Sequence, residues 1–174
     1  MPRLGDQRSK GEALWRFSLA LYARPGIAEA LLRLHDRAGH DINLMLFCLW
    51  LGAVEGRRLD PPGLAAAEAV IRPFAAPIST LRALRRDLKR DGDGAIQAVR
   101  RRVAALEIAT EREAQMALAA LPTSASRAAG DSLAAAAANL ALCLGGDTGS
   151  DEAAVLRREL ALLTRRAVTP VGRP

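Results

Sequence analysis

Three observations predict an all-α fold, a single-domain bundle of six to seven helices around one central apolar helix. Alanine (36) and leucine (27) fill 63 of the 174 positions, while Val, Ile and Thr together fill only 19. Ala and Leu lose little on entering a helix, whereas β-branched side chains lose rotamer freedom there. Apolar residues recur at helical spacing between capping residues, prolines and glycines, with no alternating strand pattern and no fixed-period repeat. Residues 42–54 are apolar on every side apart from Asn43, yet the run is 13 residues long. A membrane span needs about 20, so such a helix belongs at the centre of a bundle. Half the chain is apolar and a quarter charged, which excludes a collagen, a wholly disordered chain and a small disulfide scaffold.

Ser9-Lys10-Gly11-Glu12 has the form of a capping box and predicts a first helix over 10–22. Arg24-Pro25-Gly26 ends it, and Pro25 suits the first position of a second helix over 25–38. Gly39 is placed for a left-handed C-terminal cap and Asp41 for the N-cap of the central helix, 42–55. Asp60-Pro61-Pro62 starts a helix over 61–71. Pro73 and Pro77 are expected to kink or divide the chain before helix resumes over 78–90. Residues 91–94 read as a loop, 95–121 as the longest helix, and 121–130 as another loop. Asp131 or Ser132 caps an alanine-rich helix to 144, and Ser150 caps a last helix to about 166. The domain is expected over 1–168, with 169–174 as a frayed tail.

The first residues lack the apolar core of a signal peptide, and no run is long enough to span a bilayer. A cytoplasmic, reducing location is therefore expected. Cys48 and Cys143 lie in apolar stretches without metal-type spacing and are expected as free, small hydrophobes rather than a disulfide. Charge is unevenly placed. The net charge of +6 sits entirely within residues 72–102, and 23 of the 25 cations in the chain are arginine.

Arg82, Arg85, Arg86, Lys89 and Arg90 recur at helical spacing and form one basic stripe, with Leu81, Leu84 and Leu88 expected on the opposite, buried one. Arg100, Arg101 and Arg102 follow on the next helix. Such a face suits phosphates, acidic lipid heads or an acidic protein surface. Only Phe74 is aromatic in this region and no nucleic-acid motif is present, so nucleic acid is disfavoured. All six aromatics lie within residues 1–74. Trp15, Tyr22, Arg24, His35, Asn43 and Trp50 form a second candidate group, lining a pocket or completing the core. The indole and phenol groups need hydrogen-bond partners, and so does the amide of Asn43 on its apolar helix. His35 and His40, five apart, share no helix face, and no metal or cofactor is expected. Asp91–Gly94 places Lys89 and Arg100 where a calcium loop needs acids, and the glycines before Ser150 lack a P-loop lysine.

The stretch Leu14-Trp15-Arg16-Phe17-Ser18-Leu19-Ala20-Leu21-Tyr22-Ala23-Arg24-Pro25-Gly26 is followed by His35-Asp36 and by Asp41-Ile42-Asn43-Leu44-Met45-Leu46-Phe47-Cys48-Leu49-Trp50-Leu51-Gly52. Together they resemble a proteobacterial family defined only as a domain of unknown function, closely over about 14–55. That resemblance implies a small cytoplasmic helical protein and supplies no activity, cofactor or catalytic residue. The leading expectation is a non-enzymatic interaction or adaptor module that meets an acidic protein through the basic face. The rival is a helical-pocket protein that binds or transforms an apolar small molecule, with His35 as its proton-transfer group. Weak nucleic-acid binding ranks third. Oligomeric state is not legible.

Overall fold

The computed structural model describes residues 4–90, 92–122, 125–127, 130–146 and 149–168. Seven helices are seen there: α1 (Leu4–Tyr22), α2 (Ile27–Ala38), α3 (Ile42–Ala53), α4 (Pro61–Asp87), α5 (Gly94–Ala120), α6 (Ser132–Cys143) and α7 (Asp151–Val168). A 3-10 turn over Leu88–Arg90 extends α4. Two short strands, β1 (Arg57–Leu59) and β2 (Ala125–Arg127), pair antiparallel, with Arg57 opposite Arg127 and Leu59 opposite Ala125. The all-α class expected from the composition is the one observed. The expected tail, 169–174, lies outside the described residues.

The central helix is α3, and every residue from Ile42 to Gly52 is buried. It divides the interior into two apolar clusters. On one side Met45, Leu46 and Leu49 pack with α2, α6 and α7. On the other Leu44, Phe47 and Trp50 pack with α1, α4 and α5. A helix covered from both sides has no use for a polar face, which is why its sequence lacks one. Asp41 caps it, its carboxylate accepting from the Leu44 N–H at 3.0 Å. Gly39 ends α2 in the left-handed region (φ 71°), where a side chain would be strained.

Helix α6 lies against α3 at van der Waals contact of the backbones. A Cβ built on Gly52 would fall 2.2 Å from the Ala136 nitrogen. Beside this contact Asn139, fully buried, ties three segments together. Its carbonyl accepts from the Leu59 N–H at 2.8 Å, and its amide donates to the carbonyls of Cys48 (3.2 Å) and Arg57 (2.9 Å).

Four local expectations need correction. Helix α1 begins at Leu4, so Ser9 lies inside it rather than capping it; nothing in residues 5–8 stops the helix from propagating backwards. Pro25 precedes α2, whose N-cap is Gly26. Pro73 and Pro77 do not divide α4, which is continuous over 27 residues. Both prolines are exposed, so water serves the carbonyls they leave without donors, while Ile71 and Ile78 keep the inner side packed. The loop expected over 121–130 contains β2, a strand too short to show alternation. By length and composition alone, Pro61–Arg90 is apolar enough to cross a membrane. In this fold, however, its Leu64–Ala67–Ile71–Ile78 row packs into the second cluster.

Candidate functional site

Beyond Ile78 on α4 and before Glu107 on α5, no described residue is buried. This end of the α4–α5 hairpin forms an arm projecting from the core, and it carries the basic segment. The inner side of the arm, with α1, α2 and α3, encloses a cleft of about 760 Å³. Trp15, Leu19, Tyr22, Leu32, Leu46 and Ile108 give it an apolar lining, and Arg82, Arg85, Arg86, Lys89 and Arg100 give it a basic one. Parts of the two candidate groups, separate in sequence, thus meet in one cavity: Trp15, Tyr22 and Asn43 of one, and Arg82, Arg85, Arg86, Lys89 and Arg100 of the other.

A chain of buried amide and hydroxyl groups forms the floor. Ser18 Oγ donates to Gln115 Oε1 at 2.9 Å, and Gln115 Nε2 donates to Asn43 Oδ1 at 3.0 Å. The bond expected for the Asn43 amide is therefore made, by a residue of α5 seventy-two positions away. The wall is ionic. Arg82 reaches Glu107 (3.2 Å) and Glu111 (2.9 Å), and Arg85 reaches Glu107 at 2.5 Å. Burial pushes the Glu107 carboxyl up, but the hydrogen bonds and charges of Arg85 and Arg82 more than reverse this, leaving it below the ordinary value. Glu111 goes the other way. Burial raises it, Arg82 opposes that, and the neighbouring Glu107 charge adds to the rise. Burial, reinforced by Glu111, also raises the Tyr22 phenol.

The expected burial of Leu81, Leu84 and Leu88 opposite a solvated basic stripe is reversed. Leu84 is 43 % exposed, neither Leu81 nor Leu88 is buried, and the Arg82 side chain is only 13 % exposed. Past Ile78 there is no apolar interior for these leucines to enter. The buried carboxylate of Glu107 meanwhile requires guanidinium partners and turns Arg82 and Arg85 inward. Arg100 lines the cleft too, and its buried Nε makes no hydrogen bond among the described residues. Arg90 and Arg101 are exposed and do not line the cleft.

The remaining candidates are dispersed. Trp50 is in the core, tilted against Phe47 with ring centroids 6.2 Å apart. Its Nε1 has no partner among the described residues, contrary to the expectation for a buried indole. Arg24 is held to Glu159 of α7 at 2.8 Å. His35 faces a second, smaller cavity of about 370 Å³, with Nδ1 2.9 Å from the His40 carbonyl oxygen. Ile42, Asn43 and Arg82 line both cavities. Among the described residues no group of three or more His, Cys, Asp or Glu is placed to hold a metal.

Sequence reasoning missed Ser18, Glu107, Glu111 and Gln115. The signal was present: Arg100, Glu107, Glu111 and Gln115 fall along one face of α5 at helical spacing, a polar row on the side that turns inward. Residues 13–118 match the model of a family described as a protein of unknown function, DUF2390. No curated protein and no solved structure matches the chain.

Proposed function

The chain belongs to the DUF2390 family, whose description carries no activity, and from its own cleft we propose a non-enzymatic binding module that holds a ligand made of an acidic group on an apolar body. One observation carries this reading: a single cavity has aromatic and aliphatic residues on one part and five cationic side chains on another, among them Arg100, whose buried Nε has no partner among the described residues. Guanidinium groups bind carboxylate, sulfonate or phosphate through charge-assisted hydrogen bonds, and the apolar lining takes the attached chain. Titration with decanoate and with decanol tests it. Decanoate binds at least about tenfold more tightly, and replacing Arg86 and Arg100 by Gln removes about that factor. Equal affinity for acid and alcohol, or decanoate binding that ignores both substitutions, disproves the reading.

The carboxylates of the wall make binding depend on pH. Glu111, raised by burial, takes up its proton above the ordinary carboxylate value of 4.5, while Glu107, lowered, stays ionised there. Each proton bound adds positive charge to the cleft. A decanesulfonate ligand keeps its own charge throughout, so its affinity rises as pH falls from neutral toward that range. Glu111→Gln binds at neutral pH as the unaltered protein does at the lower pH and loses most of the dependence. An unchanged profile in that variant would assign the titration elsewhere.

A second reading, an acidic protein surface meeting the arm, is favoured by Arg90, Arg101 and Arg102, which are exposed outside the cleft. The two readings part at Arg100→Gln, which weakens only the first.

A further inference from the structure

The two cysteines, 95 positions apart in sequence, meet between α3 and α6. Cys143 packs against the cluster that holds Cys48, near enough for its thiol to perturb that of Cys48, and both are free. The helices run antiparallel and close here. Gly52, one turn after Cys48, abuts the Ala136 backbone, and Asn139, one turn before Cys143, donates to the Cys48 carbonyl. Disulfides require Cα separations of roughly 4.4–6.8 Å, a range that helices packed backbone to backbone can reach.

The two sulfurs differ in access. Cys48 is 0 % exposed, while Cys143 is half-buried and lines the second cavity together with His35, His40, Glu68 and Arg72. The interaction with the Cys143 thiol, and then burial, push the Cys48 thiol well above its ordinary value, which disfavours it as the first attacking sulfur.

We infer that Cys143 and Cys48 form a redox-active dithiol that reduces a small disulfide entering through the second cavity, with Cys143 as the attacking sulfur and Cys48 as the resolving one. Cys143, as thiolate, attacks one sulfur of the disulfide. The first leaving thiolate takes up the proton that Cys143 gave up. The mixed disulfide on Cys143 is then attacked by Cys48, which loses its proton to the second leaving thiolate. The products are one intramolecular disulfide and two small thiols, and two electrons pass from the protein to the small disulfide. No other co-reactant is needed. The site is separate from the arginine-lined cleft, although Ile42, Asn43 and Arg82 border both.

The experiment treats the folded, full-length protein with oxidised glutathione and follows intact mass under native conditions. The expected product has lost two hydrogens, retains no bound glutathione and no longer reacts with a thiol reagent; dithiothreitol restores the starting mass. Cys48→Ala stops at a stable mixed disulfide with one glutathione on Cys143. Cys143→Ala stays unmodified over the same interval. A wild-type protein that accumulates the mixed disulfide without closing it, or that remains unmodified, overturns the inference. So does a Cys143→Ala variant that reacts as fast as wild type, because the attack would then have reached Cys48 without Cys143.

Discussion

Gly52→Ala is expected to destabilise the protein by about 3 kcal/mol, the upper end of what overpacking a close-packed interior costs. At roughly 2–4 °C per kcal/mol for a chain of this length, melting falls by about 10 °C. The added methyl would lie 2.2 Å from the Ala136 nitrogen and 2.3 Å from its Cα. Both atoms are backbone, so no rotamer change relieves the clash. Helix α6 has to retreat from α3, and the cluster that includes Leu140 and Leu49 opens with it. Gly5→Ala is the control: it lies in α1 with nothing among the described residues within 4 Å of the new methyl, and a helical Gly→Ala there is neutral or stabilising by up to about 1 kcal/mol. Chemical denaturation of the two variants checks the pair, and equal stabilities would refute the close approach.

Asn139→Leu is expected to cost a similar amount for a different reason. Both side chains branch at Cγ into two heavy atoms, so the main loss is polar, with some crowding of the bulkier methyls against backbone that Asn139 meets at 2.8–3.2 Å. Asn139 satisfies the Leu59 N–H and the carbonyls of Arg57 and Cys48 from a fully buried position. A buried polar group left without a partner costs about 1–3 kcal/mol, and two of these groups belong to β1. The variant is expected to lose about 3 kcal/mol, with hydrogen exchange of the Leu59 amide accelerating beyond the rest of the core. Destabilisation without faster exchange at Leu59 would show that Asn139 acts through packing instead.

The helices were legible because capping and periodicity are local. Asp41, Gly39 and Asp60 each mark a boundary within four residues of the groups they satisfy. The cleft was half legible. Its cations and its aromatics each stood out, but nothing local says that Arg82 and Tyr22 line one cavity. That depends on how α5 brings Glu107, Glu111 and Gln115 between them, across long sequence separations. Charge clustering alone implied a solvated stripe because it could not register a buried carboxylate on another helix. The β1–β2 pairing was invisible for a related reason. Three-residue strands carry no pattern of their own, and the first of this pair is held by Asn139, an amide within an alanine-rich helix.

An apolar cylinder such as α3 presents the same oily surface at every azimuth, so solvent exclusion alone leaves its rotation about its own axis undetermined. Two residues index it. Asn43 reaches Gln115 on one flank, and Gly52 admits the α6 backbone on another. Nine residues at about 100° each set them half a turn apart. Like two keyways on opposite sides of a shaft, they fix which greasy side chains face which cluster, and turning the rod by one residue would leave an amide stranded and drive a side chain into the α6 main chain.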